Sequence, residues 1–205
     1  MKNLKKKFEN FWYYYKWHTV LAVFIIAVLI VGTAQCSTKR ENDYLIMLGF
    51  KRYVPEKVIN SMCDYIEKYG EDINEDGEVI VQIMDVSTYS GQDSELFKAA
   101  SSKMQAESFR NEIMLYIVDD GFYDEMNNKV VIFDTYDKFD DKDSTAYNLN
   151  DTEFAEYVNS NYNSPFITTN TYFTKRKINK DNAKSVQNMK NAEKLLDNLI
   201  AHLNE

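Results

Sequence analysis

The chain has 205 residues, of which 44% are hydrophobic, and a formal net charge of −8. Residues 1–36 hold five lysines and one acidic residue, so residues 37–205 carry 19 basic and 31 acidic side chains, a net charge of −12. A domain this acidic repels phosphate backbones, which argues against nucleic acid as a partner. Its length is sufficient for one domain with its own hydrophobic core.

The first forty residues predict a membrane anchor. Residues 17–36 form an apolar run of the length that a bilayer core requires. Aromatic residues from Phe11 to Trp17 precede it and resemble an interfacial belt, and the lysines lie on the same side, which favours a cytoplasmic N-terminus. We therefore expect a cytoplasmic segment (1–16), a transmembrane signal anchor (17–36), a linker (37–43) and an extracytoplasmic domain (44–205).

Two other interpretations of this segment remain open. A cleaved signal peptide could use the small residues Gly32, Thr33 and Ala34. A lipoprotein would use Cys36, although the bulky Gln35 precedes it. The aromatic flank favours the uncleaved anchor, and all three interpretations place the domain outside the cytoplasm.

The elements of the domain follow from periodicity and from turn residues. In chain order, the pattern predicts a strand at 44–50, a helix at 55–69, a strand at 79–86, a helix at 93–110, strands at 113–118 and 130–133, a loop at 134–150, a helix from 151 or 152 to 158, a strand at 166–173 and a helix at 181–203. Apolar strands that alternate with helices predict a mainly parallel sheet in a three-layer α/β sandwich, with antiparallel strands at one edge.

Polar and aromatic residues follow the first three predicted strands, at the sheet edge where α/β proteins bind ligands. Lys51, Arg52 and Tyr53 follow the first strand, Tyr89 and Gln92 are among the residues after the second, and Asp119 to Tyr123 follow the third. Flat aromatic rings beside hydrogen-bonding groups suit a sugar or a peptide. We therefore predict a ligand site formed by Tyr53, Tyr89, Gln92, Asp119 and Tyr123.

A second pattern resembles the first half of a calcium-binding loop. Asp72, Asn74 and Asp76 stand at alternate positions before Gly77, as in D-x-N-x-D-G. Ile83 stands where the twelfth-position acid would be, and the same residues also suit a helix-to-strand turn. Calcium at Asp72, Asn74 and Asp76 is the one cofactor that the sequence indicates.

Enzymatic chemistry has little support. The only two histidines, His18 and His202, lie near the membrane span and the C-terminus, and the sequence has no phosphate-binding glycine loop or nucleophile motif. Asp85 and Asp119 at strand ends could act as an acid and a base, which keeps a hydrolase as a remote alternative. We expect no enzymatic activity.

The order of predicted strands and helices from Tyr44 to Asp119 resembles the first lobe of extracellular solute-binding proteins of sugar transporters. In that family the third strand also ends in an acid, as Glu112–Asp119 does here. Tyr13–His18 and Tyr147–Phe154 are similar to segments of uncharacterised membrane-anchored proteins of Clostridia-type bacteria. The resemblance implies a bacterial cell-surface protein with one solute-binding lobe. The alternative is a non-catalytic scaffold that docks a protein partner of the cell envelope.

Overall fold

The computed structural model describes residues 2–37, 41–88, 102, 106, 113–129, 133–162, 165–167, 170–178 and 180–203. The chain forms two compact units, residues 1–41 and 42–205. The first unit is a single helix, α1 (Lys2–Ser37). Its segment Phe11–Val31 has 21 residues and is long and apolar enough to cross a membrane. This agrees with the predicted transmembrane helix near the N-terminus.

The second unit is built on a five-stranded sheet in the order β2-β1-β3-β5-β4. The strands are β1 (Tyr44–Gly49), β2 (Val81–Asp85), β3 (Leu115–Asp119), β4 (Ala146–Asn148) and β5 (Thr171–Lys175). β1 pairs in parallel with β2 and β3, while β5 is antiparallel to both β3 and β4. Four strands therefore run in one direction, and the predicted α/β fold with a mainly parallel, mixed-edge sheet is confirmed.

Four helices lie in the described part of this unit. They are α2 (Glu56–Glu67), α3 (Asp120–Lys129), α4 (Glu153–Ser160) and α5 (Ala183–His202). Side chains cap α4 and α5: Thr152 accepts a hydrogen bond from the backbone N–H of Ala155, and Asn182 accepts one from the backbone N–H of Ser185. Such caps satisfy backbone donors that the first helical turn leaves unpaired.

Successive residues of the central strands point to opposite faces of the sheet, so each face has its own core. On β1, Ile46 and Leu48 pack with α2, α4 and α5, whereas Met47 packs with Phe122 and Met126 of α3. All five side chains are buried. The sheet is therefore a middle layer between helices, as predicted.

Two elements were not predicted. Helix α3 begins at Asp120, where the sequence Asp119-Asp120-Gly121 indicates a turn. Strand β4 lies inside the predicted loop 134–150 and follows a turn in which Lys142, Asp143 and Ser144 all have positive φ angles of 50–64°. L-residues other than glycine rarely adopt this conformation, so the sequence gives no sign of the turn that leads into the strand. The strand has only three residues, which is too short for a recognisable alternating pattern.

Three predicted elements have a different outcome. The predicted strand 166–173 lies further along the chain, as β5, and continues to Lys175. Of the predicted strand 130–133, only Phe133 is described, and it forms an isolated antiparallel bridge with Arg176. The predicted helix 93–110 lies outside the described residues except for Ser102 and Ala106, which are both helical.

Candidate functional site

The carboxyl ends of β1, β2 and β3 lie side by side. The parallel register pairs Leu48 with Asp85 and Gly49 with Val118. The residues that follow these strands therefore share one edge of the sheet, the position at which open α/β sheets bind ligands. We call this edge the strand-end rim and define it by the described residues Lys51, Arg52, Tyr53, Ser87, Thr88, Asp119, Asp120 and Gly121.

Asp119 ties the ends of two elements together. Its Oδ2 accepts a hydrogen bond from the backbone N–H of Lys51 (2.6 Å), and its Oδ1 accepts one from Phe122 (2.9 Å). The second bond caps α3, because Asp119 immediately precedes the helix. Both carboxylate oxygens of this predicted ligand residue are thus engaged by the protein backbone.

Close packing fixes α3 against the end of β1. A Cβ atom placed on Gly49 would lie 2.2 Å from Cε1 of Phe122, so only glycine leaves room for this ring. The Lys51 ammonium lies 5.5 Å from the centroid of the same ring. It also forms an ion pair with Glu125 of α3 and lies 3.4 Å from Thr88 Oγ1. Lys51 therefore has an acidic partner.

A second lysine reaches the rim from the turn before β4. The Lys142 ammonium pairs with Asp120 Oδ1 at 2.5 Å and lies 5.4 Å from the ring centroids of both Tyr123 and Tyr172. The hydrogen bond to Asp120 raises the pKa of Lys142. Like Lys51, this cation is neutralised by an acid within the chain.

Arg52 differs from both lysines. Its guanidinium lies 5.2 Å from the ring centroid of Phe50 and 4.4 Å from that of Phe166. Its Nε–H is buried, and within the described part of the chain it has no hydrogen-bond partner. Burial lowers the pKa of Arg52, and the negative charge of Asp119 partly opposes that effect. Among the described residues, the half-buried guanidinium thus packs against two aromatic rings.

The predicted aromatic residues have different surroundings. Tyr53 is 63% exposed and presents its ring to the surface, whereas Tyr123 is 4% exposed. Tyr123 lies in α3, its ring is stacked on Phe133 at 5.0 Å, and its hydroxyl lies 2.5 Å from Thr145 Oγ1. Burial raises the pKa of Tyr123. Tyr123 therefore belongs to the core, and the predicted ligand residues Tyr89 and Gln92 lie outside the described residues.

Residues 72–77 form a turn that closes on itself. Both carboxylate oxygens of Asp72 accept backbone N–H groups, from Asp76 (3.2 Å) and Gly77 (2.7 Å). Asn74 Oδ1 also accepts from Asp76 (2.9 Å). Among the residues that the structure describes, no group of three or more His, Cys, Asp or Glu side chains is arranged to hold a metal ion. Calcium at Asp72, Asn74 and Asp76 stays an untested alternative to a structural turn.

Asp43 holds this turn against the start of β1. Its Oδ1 accepts hydrogen bonds from the backbone N–H groups of Ile73 (2.8 Å) and Asn74 (3.2 Å), and its Oδ2 accepts one from Ile80 (2.8 Å). Sequence reasoning assigned Asp43 to a linker and missed this role, because its three partners lie at least thirty residues further along the chain.

Asp85 is the other strand-end acid. Its Oδ1 accepts a hydrogen bond from the backbone N–H of Ser87 (2.9 Å), and Ser87 Oγ in turn accepts one from Phe50 (3.0 Å). The carboxylates of Asp85 and Asp119 therefore both bind backbone donors that shape the rim.

Comparison with known proteins adds no relative. No protein family, curated protein or solved structure matches this chain.

Proposed function

We propose that the chain is a membrane-anchored, extracytoplasmic module that binds a small solute, a sugar or a peptide, on the strand-end rim. The observation that carries the proposal is an exposed aromatic ring, that of Tyr53, next in the sequence to Arg52, whose buried Nε–H has no partner among the described residues. An aromatic face and hydrogen-bond donors are the groups that bind sugars and peptides.

The exposed apolar surface of the described residues favours a small ligand over a protein partner. Among the described residues after Glu41, the exposed large hydrophobic side chains are Tyr53 and Ile73 only. Stable protein interfaces generally contain a contiguous apolar core, which two separate side chains do not provide. This weighs against the alternative of a scaffold that docks an envelope protein.

The anchor and its orientation rest on the first unit. The basic and aromatic residues that precede the apolar segment of α1 support a cytoplasmic N-terminus. Fusions of alkaline phosphatase, which folds only outside the cytoplasm, test this. We expect activity when the reporter follows residue 203 and none when it replaces the chain after residue 10. The reverse result would place the domain in the cytoplasm and contradict the localisation.

Calorimetric titration of the full chain in lipid nanodiscs tests solute binding. The titrants are a panel of neutral sugars, acidic sugars and short peptides. We expect one class to bind, and Tyr53→Ala to weaken that binding by about tenfold or more, since exposed aromatic anchors dominate many binding sites. Ile73→Ala is the matched control, because it removes the other exposed hydrophobic side chain from a different loop. Absence of binding, or equal losses in both variants, would contradict solute binding on the rim.

A further inference from the structure

We propose that the strand-end rim recognises its solute through a carboxylate group, which the guanidinium of Arg52 binds. This inference rests on the proposed function and names the chemical class of the ligand at the same site. It assigns Arg52 the role of specificity-determining residue.

The three cations near the rim are not equivalent. Lys51 pairs with Glu125 and Lys142 pairs with Asp120, so an acid of the chain itself neutralises each ammonium. The Nε–H of Arg52 has no hydrogen-bond partner among the described residues, although the guanidinium charge is half-buried. Partly desolvated charges are normally paired, because leaving them unpaired is costly. An external anion would supply the missing partner.

Asp119, the acid whose charge acts on Arg52, cannot serve as the hydrogen-bond partner of the guanidinium. Asp119 interacts with Arg52 through its charge, yet its two oxygens already accept the backbone N–H groups of Lys51 and Phe122. Turning this carboxylate towards Arg52 would break the cap of α3. The negative charge of Asp119 therefore favours the charged guanidinium without using its donors.

The aromatic rings hold the guanidinium in place before any ligand arrives. Phe50 and Phe166 lie within 5.2 Å and 4.4 Å of Arg52 Cζ, and both rings are buried in the core. Stacking on ring faces restricts the plane of a guanidinium and leaves its edge for hydrogen bonds. A donor group ordered in advance loses little entropy on binding. A planar fork matches the two oxygens of a carboxylate.

Charge favours a carboxylate over a phosphate. The two lysines beside Arg52 are already paired with acids, and residues 37–205 carry a net charge of −12. A single available guanidinium in an acidic domain balances one negative charge better than two. Tyr53, the next residue, offers an exposed ring to the body of the same ligand. An acidic sugar and a peptide with a free C-terminus both present this combination.

Nuclear magnetic resonance of the arginine side chains tests the proposal on the full chain in nanodiscs. The sequence has four arginines, and comparison with Arg52→Lys assigns the Nε–H signal of Arg52. The probes are glucuronic acid against glucose, trialanine against its C-terminal amide, and inorganic phosphate. We expect the Arg52 signal to move and saturate with glucuronic acid or trialanine, but not with its neutral counterpart. The acid that succeeds distinguishes a sugar from a peptide ligand.

Substitutions separate recognition from folding. Arg52→Lys keeps the charge and loses the fork, and we expect it to weaken binding of the acid by about tenfold or more while the circular dichroism spectrum is unchanged. Lys194→Gln is the control, because Lys194 is an exposed cation that pairs with Glu71 and is not part of the rim, and we expect it to preserve the preference for the acid over the neutral probe. Equal binding of acid and neutral probes, a response to phosphate equal to that of the acid, or unchanged affinity in Arg52→Lys would overturn the carboxylate proposal.

Failure of this inference can be told from failure of the proposed function. If neutral and acidic solutes bind equally and Tyr53→Ala abolishes both, solute binding stands and the role of Arg52 is rejected. If none of the probes or panel solutes binds, both proposals are rejected together.

Discussion

At both ends of the sheet, aspartate side chains accept backbone hydrogen bonds. The two ends differ because a buried donor without a described partner lies at the carboxyl end. At the amino end of β1, Asp43 accepts three backbone N–H groups, and the oxygens of Asp72 and Asn74 accept donors of their own turn. At the carboxyl end, Asp119 accepts two backbone donors, while Arg52 keeps a buried Nε–H without a partner in the described chain. The carboxylates of the amino end bind the chain's own backbone donors, whereas the carboxyl end also holds a donor that has no partner among the described residues.

The largest expected effect comes from the amino end. Asp43→Ala removes an acceptor of three backbone N–H groups and leaves them with water or with no partner. Because hydrogen bonds to a charged acceptor are strong and unpaired donors are costly, we expect the free energy of unfolding to fall by about 2–4 kcal/mol. Urea unfolding followed by far-ultraviolet circular dichroism measures it. Tryptophan fluorescence would not, since Trp12 and Trp17 both lie in α1.

Asp43→Asn is the matched control for that substitution. Its single amide oxygen can replace one of the two carboxylate oxygens, so we expect roughly half the loss. Solute binding at the opposite end of the sheet should be unchanged in Asp43→Asn under conditions where the domain is folded. A loss below about 0.5 kcal/mol in Asp43→Ala would show that this carboxylate does not hold the turn.

The next effect concerns the packing that positions the rim. Gly49→Ala places a Cβ 2.2 Å from the ring of Phe122, which must move. Overpacking of this kind typically costs about 1–3 kcal/mol, and the shift of α3 should also disturb Asp119 and weaken solute binding. Gly121→Ala is the control, because the nearest contact of its Cβ would be the flexible Lys51 side chain, at 3.0 Å, and Asp119 Oδ1 would lie at an ordinary 3.9 Å. Equal stability of the two variants, measured by urea unfolding, would contradict this account.

The contact between Phe122 and Gly49 also explains why the sequence predicts strand β1 but not helix α3. β1 was predicted almost residue for residue, because a run of apolar side chains buried on both faces needs no information from elsewhere. Helix α3 was missed because Asp119-Asp120-Gly121 suits both a turn and a helix start. What decides for a helix is the contact of Phe122 with Gly49, which lies in another strand.

Long-range contacts also explain the parts of the site that were missed. Tyr53 and Asp119 were chosen from their positions after strands, and both lie on the rim. Tyr123 was chosen by the same rule, but the helix turns it into the core beside Phe133. Arg52 was noted only as a cation, because its environment depends on Phe166, a residue from a distant segment. Position after a strand predicts the rim, whereas only tertiary packing reveals which of its groups lack a partner.

Substitution of Arg52 should change the free energy of unfolding by less than the substitutions above. Arg52→Met keeps an apolar stem against Phe50 and Phe166 and removes a half-buried charge that has no hydrogen bond in the described chain. Loss of the cation–ring attraction and relief of desolvation oppose each other, so we expect unfolding free energy to change by less than about 1 kcal/mol.

Lys175→Met is the comparison for that variant. Lys175 is also a cation packed on an aromatic ring, that of Tyr136, but it is buried and pairs with Glu193 at 2.7 Å. Because Glu193 is partly exposed and water can solvate it, removing its partner should cost about 1–3 kcal/mol, less than for a fully buried pair. If urea unfolding shows Arg52→Met to be the more destabilising variant, Arg52 is a structural residue, and the contrast between the two ends of the sheet is lost.

The smallest expected effect is that of calcium on the turn at residues 72–77. An ion present at about 100 times its dissociation constant adds about 2.7 kcal/mol, which would raise the melting temperature of this domain by roughly 5–10 °C. We expect a change below about 1 °C between 1 mM calcium and excess chelator, because both oxygens of Asp72 already accept backbone donors and Ile83 occupies the position of the bidentate acid. A shift of several degrees that Asp76→Asn removes would establish calcium as a ligand of Asp72, Asn74 and Asp76. The amino end of the sheet would then bind an ion through acids that also accept backbone hydrogen bonds. In that case, a donor without a partner, such as Arg52 Nε–H, would not be a requirement for ligand binding at an end of this sheet.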